Sequence, residues 1–351
     1  MAFTTIAKSS DHFDCPTWTG SDSTTTITGM GFKPDSLWIR RYDGGGHPVL
    51  NDSSKGIGFN WIPSGNNAND TTNYVASYTS DGFTLTGNLA NTNDASDKYV
   101  GACWKANGAT TASNSDGSIT STVQADTTSG VSVVTWTGTG ANGTIGHGLG
   151  KAPKLVLTKT TDLADRGIMG NFGIHTTSDP ETDGMQFAWE GDTVQDYATF
   201  WNDTLPTTSV FSVGSHDKTN KSSSAMIAYV FAEVPGFSKI GQYTGNGNAN
   251  GPVIYCGFRP KWVLIKSANT GDDWVSMVSG LTGYGIGDNR TRFVRYNTNT
   301  CQTSGTMQFM STGFRPLSTS TGNNKDNSIY WYMAFAEMPT VTSNGLAALG
   351  A

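Results

Sequence analysis

The chain has 351 residues, with 22 basic against 28 acidic side chains and a net charge of −6. Charged residues are 14% of it, against roughly 25% in an ordinary soluble domain, and glycine is unusually frequent at 43 residues. No basic block, no apolar run of 18 residues and no basic-then-apolar leader is present, so nucleic-acid binding, membrane insertion and a signal peptide are not expected. Thr, Ser, Asn and Gly fill the gap left by charge. That mixture disfavours helices and favours short strands joined by tight turns.

One pattern recurs three times along the chain. The first copy opens on Trp18-Thr19-Gly20 and reaches Gly31-x-x-Pro34 and the run Leu37-Trp38-Ile39-Arg40. Strands are predicted around Phe59 and Phe83, and a closing strand over Tyr99–Trp104. Residues 107–130 are polar and lack aromatics, which predicts a linker or long surface loop. The second copy opens on Trp136-Thr137-Gly138, passes Pro153 and Leu155-Val156-Leu157-Thr158-Lys159, and closes over Met226–Phe231. The third opens on Tyr243-Thr244-Gly245, passes Pro260 and Trp262-Val263-Leu264-Ile265-Lys266, and closes over Ile329–Phe335. The spacing from Phe83 to Trp104 is 21 residues, from Phe211 to Phe231 is 20, and from Phe314 to Phe335 is 21, which favours duplication over chance.

The expected fold is all-β: three tandem antiparallel β-sandwich domains of jelly-roll type. Their boundaries are 1–108, 131–237 and 238–340, with a linker at 109–130 and a tail at 341–351. Each proline precedes a strand, where its missing N–H does no harm. The segments 155–170 and 262–280 read as loop excursions, with Trp274 folding back on its own sandwich. Because they differ most between copies, they are expected to carry specificity.

No nucleophile elbow, phosphate loop or HExxH motif appears, and the five histidines are scattered. Glu233 and Glu337 share one repeat position, which points to a structural role rather than a glycosidase pair. Asp272-Asp273 and Asp162 with Asp165 offer oxygens for calcium but form no EF-hand loop, so neither metal nor cofactor is expected. The four cysteines form no CxxC pair and are expected as free thiols, with Cys256–Cys301 the alternative disulfide. The best binding candidates are aromatic residues beside polar loop groups: Trp274, Tyr284 and Trp201, with Asp272 and Asp273. Aromatic faces can stack on sugar rings while carboxylates and amides bond the hydroxyls.

The third copy, with GFRPKWVLIK, STGFRPL and YWYMAFAEMP, resembles a repeat domain of virion proteins of tailed bacteriophages, especially marine and cyanobacterial ones. The second matches at its ends, and the first departs at its close, YVGACWKANG. The resemblance implies a non-enzymatic virion protein, assembled in the host bacterial cytoplasm. It would be a tail-fibre or tail-associated adhesin for host surface polysaccharide, with a capsid decoration protein as the alternative. Expected partners are other virion proteins, a tail adaptor or the capsid, and a homo-trimer is the usual state of fibres.

Overall fold

In the computed structural model the chain is described over residues 6–64, 69–162, 164, 167–174, 179–187, 191, 193–281, 290, 291, 293–296 and 307–339. It is all-β, built of antiparallel sheets; its three helical turns among the described residues are only three or four residues long. Three large sheets draw their strands from residues 13–104, 112–231 and 238–336. Each has the same heart. A closing strand (Lys98–Trp104, Ala225–Phe231 or Ile329–Ala336) lies between the copy's opening strand and its proline strand. The opening strands are Phe13–Asp14 with Thr17–Thr19, Val131–Thr137 and Ser238–Thr244. The proline strands are Ser36–Arg41, Leu155–Thr160 and Pro260–Ser267.

The apolar residues of these central strands alternate between two cores. From the proline strands, Leu37, Val156 and Val263 face a smaller sheet of the same copy. Trp38, Leu157 and Leu264, one position on, face a core common to all three copies. The closing strands divide likewise: Cys103, Val230 and Ala334 point one way, and Trp104, Phe231 and Phe335 the other. Both faces are therefore buried, so the central strands read as nearly continuous apolar runs rather than half-buried alternation. Trp104, Phe231 and Phe335 occupy one repeat position and meet as a triangle, with ring centroids 5.8, 5.6 and 6.1 Å apart. The three copies thus close into a ring about this shared core. The third meets the first where Phe13 stacks on Phe335 at 4.7 Å and Lys261 lies 3.6 Å from Asp14.

The repeat motifs have local physical causes. The glycine of aromatic-Thr-Gly passes so close to a neighbouring backbone that a Cβ would sit 2.0 Å from the Asp94 carbonyl at Gly20, 2.0 Å from that of Lys221 at Gly138 and 2.3 Å from that of Lys325 at Gly245. The aromatic before it packs on the closing strand: Trp18 on Tyr99 and Tyr243 on Tyr330 lie nearly parallel, 18° between planes. A buried asparagine then staples the following loop. Asn93, Asn220 and Asn324 accept from the backbone N–H of Ser21, Thr139 and Asn246, and donate to the carbonyls of Ser23, Ala141 and Asn248. The basic residue one position before the end of each proline strand is also buried: Arg40 donates to the carbonyls of Arg295 and Gly46, Lys159 to that of Thr160, and Lys266 to that of Asp272.

Two expectations are corrected here. The stretch 109–130 is not linker: Ala112–Asn114 and Ser121–Asp126 are strands that extend the second large sheet. Their Val123 and Gln124 are buried, which the polar composition conceals. The segments 155–170 and 262–280 are not loop excursions but adjacent strand pairs, Leu155–Thr160 with Ile168–Asn171 and Pro260–Ser267 with Val275–Val278. Cys15, Cys103 and Cys256 are buried free thiols, and Cys301 lies outside the described residues.

Candidate functional site

The residues expected to bind sugar are mostly structural. Trp274 is 1% exposed and belongs to the common core rather than to its own copy, 5.0 Å from Phe187 of the second. Trp201 is fully buried in the second copy's core, where its indole N–H donates to the Asp183 carbonyl at 2.9 Å. Neither presents a ring face to solvent, so neither can stack on a sugar. Asp273 is buried and pairs with Arg295 at 2.7 Å. Asp272 accepts from the backbone of Asp273 through its carboxylate and from Lys266 through its carbonyl. Tyr284 lies outside the described residues, as does Asp165. Among the described residues no group of three or more His, Cys, Asp or Glu could hold a metal ion. Glu233 and Glu337 are engaged in ion pairs with Lys239 at 2.7 Å and Arg259 at 2.6 Å.

The surface does open at one junction between copies. A cleft of about 430 Å³ lies between the second and third, within the usual range for small-molecule sites. Its second-copy wall comes from the strands Asp183–Gln186 and Gln195–Asp196, paired so that Asp183 stands opposite Asp196. Its third-copy wall carries Gln242 of the opening strand, Asn269 after the proline strand, and Ile329 and Trp331 of the closing strand. A second groove of about 290 Å³ continues along the opening strand past Gly241 and Thr244.

The walls are pinned together. The Val194 N–H donates to the Ala268 carbonyl at 2.7 Å, and the Asn171 amide to that of Gly241 at 3.1 Å. Gly173 approaches so closely that a Cβ would lie 2.5 Å from the Ile240 carbonyl. Asn269 is held by accepting from the Ile329 N–H.

The cleft is electronegative. Burial pushes the Asp183 carboxyl up to about 6, with the charges of Asp196, Asp179 and Glu181 adding to the shift. The result is a preformed recess with apolar and aromatic lining from Ile329 and Trp331, amides from Gln242 and Asn269, and two carboxylates. Such a recess suits binding of a polar molecule with apolar faces. Sequence reasoning missed these residues because they unite only across the junction. The nearest signal was the Asp-rich stretch from Asp179 to Asp196, which has no match in the other copies.

A family model described as a domain of unknown function, DUF7483, matches residues 8–339. The chain belongs to this DUF7483 family. The match takes in all three copies, just as the common core does, so the DUF7483 unit is the whole ring rather than one repeat. No curated protein and no solved structure matches the chain.

Proposed function

We propose that this DUF7483 protein is a non-enzymatic component of a tailed-phage particle that recognises polysaccharide on the host surface. The observation that carries this reading is the closed ring of three copies about one aromatic core, opened at a polar, aromatic-lined cleft. A cleft preformed between hydrogen-bonded strands loses little ordering entropy on binding. Low charge and a Gly/Thr/Ser/Asn-rich composition suit a surface that must not adsorb non-specifically. Weak sites on a particle gain from repetition, by roughly 10²–10⁴ in avidity.

A second reading is favoured by the triangle of Trp104, Phe231 and Phe335 at one repeat position: a chain that mimics a trimer could seat on a threefold position of a capsid and reinforce it. Immunogold labelling of purified particles with antibody against the full chain separates the two. Gold at the tail or fibre tips is expected. Gold over the head would replace adhesion by decoration, and unlabelled particles, with antibody proven on released protein, would overturn the particle assignment.

A further inference from the structure

The junction between the second and third copies opens as a cleft, and the equivalent positions at the junction between the first and second are engaged by other groups. On the repeat alignment, Gln242 in the cleft wall corresponds to Thr135, which precedes Trp136 as Gln242 precedes Tyr243. Thr135 pairs with Thr122 of the added strand Ser121–Asp126. Ala268 corresponds to Thr161, which accepts from the Lys55 ammonium at 3.4 Å. Where the first junction has a strand and a lysine, the second has a recess with Asp183 and Asp196 on its wall.

We infer that the cleft between the second and third copies is a subsite for one unit of a saccharide that is neutral or bears an amine, and that it rejects uronic and sialic units; this rests on the polysaccharide-binding reading. The amides of Asn269 and Gln242 and the hydroxyl of Thr193 match ring hydroxyls. Ile329 and Trp331 in the lining supply apolar surface for the C–H face of a hexose. The opposed carboxylates of Asp183 and Asp196 attract an ammonium and repel a carboxylate. Like charges forced together there relax when a cation enters, and an acidic sugar would add to the repulsion.

The test is calorimetry on the full chain with three trisaccharides of equal length: glucosamine, N-acetylglucosamine and galacturonate. The glucosamine probe should bind best and the galacturonate probe worst. Asp196→Asn should narrow that preference by about fivefold, the size of one partly exposed ion pair. Thr193→Trp fills the recess from a half-buried lining position and keeps both carboxylates in the chain, and should abolish binding of all three while the melting temperature holds. Tightest binding of galacturonate, or an unchanged preference in Asp196→Asn and unchanged affinity in Thr193→Trp, would overturn the subsite. So would failure of all three probes to bind at millimolar concentration. The particle assignment would then still stand or fall on the gold labelling alone.

Discussion

Two of the three junctions of the ring are built on one repeat yet solved differently. Between the first and second copies the contact is dense and polar. The Tyr229 hydroxyl donates to the buried Asp52 carboxylate at 2.9 Å, and His12 meets Asp126 at 2.7 Å. The Gln124 amide donates to Ser53 and Ser54 from the added strand. Between the second and third the backbones touch at Gly173 and Ala268, and the space beyond them is left as the cleft. The difference teaches that one scaffold can spend an equivalent edge on cohesion or on recognition. The common core makes this affordable, because it binds the copies together whatever happens at their margins.

The largest effect should come from breaking what the junctions share. Trp104→Ala removes one corner of the aromatic triangle and should cost about 3–5 kcal/mol. Since Trp104 contacts Phe231 and Phe335 of the other copies, the whole ring should lose stability together. Calorimetry should show a single transition moved to lower temperature. Separate transitions for three independent units would refute the shared core.

Next in size are substitutions that strike one junction only. Gly173→Ala forces a Cβ against the Ile240 carbonyl between the second and third copies and should cost about 1–3 kcal/mol. Tyr229→Phe leaves the buried Asp52 without its hydroxyl donor at the other junction, with a similar cost of about 1–3 kcal/mol. Equilibrium denaturation of the two variants compares the junctions directly. A neutral Tyr229→Phe would mean that the polar contact contributes nothing net.

The expected all-β fold could be read because its causes are local. The proline and closing strands carry dense apolar runs, and the aromatic-Thr-Gly turns need a glycine where backbones collide. One further repeat signal was present and passed over: Asn93, Asn220 and Asn324 each stand eleven residues before Trp104, Phe231 and Phe335. The assignment of Trp201 and Trp274 as sugar platforms failed for a non-local reason. An aromatic beside polar loop residues looks the same whether it faces solvent or another copy, and only the ring closure decides. Strand Ser121–Asp126 was hidden for a related reason, since its buried Gln124 and Ser121 satisfy themselves against the first copy and the Gly146 carbonyl.

Each junction also carries a buried or half-buried carboxyl that should respond to acid. Burial pushes the Asp52 carboxyl up to about 6 despite hydrogen bonds from Lys55 and Tyr229. A carboxyl whose folded value is raised holds its proton more tightly when folded. Its contribution to stability is full below the unfolded value of 3.8 and is lost as pH rises through about 6. Asp183 acts in the same direction. His147 and His216, held low chiefly by burial, act oppositely: their contribution is present above the unfolded value of 6.5 and lost as pH falls below it. The Asp52 part is therefore read as a difference. Asp52→Asn should gain stability relative to the parent as pH rises from 4 to 6, and an identical pH profile in the two proteins would contradict the assignment.

The smallest effect lies in the cleft. Asp196 is exposed, so Asp196→Asn should change stability by no more than about 0.5 kcal/mol. Its consequence is electrostatic. Part of the rise in Asp183 comes from the charge of Asp196 across the strand pair, after the larger part from burial. Removing that charge should bring Asp183 down from about 6 while leaving the burial contribution in place, so it should not return fully to 3.8. A carboxyl-detected NMR titration measures this directly. Complete return would mean that repulsion rather than burial holds Asp183 up, and the cleft would be a wet surface. No movement would mean that the two carboxylates do not sense each other. The intermediate value is the one that a preformed, partly dehydrated recess requires.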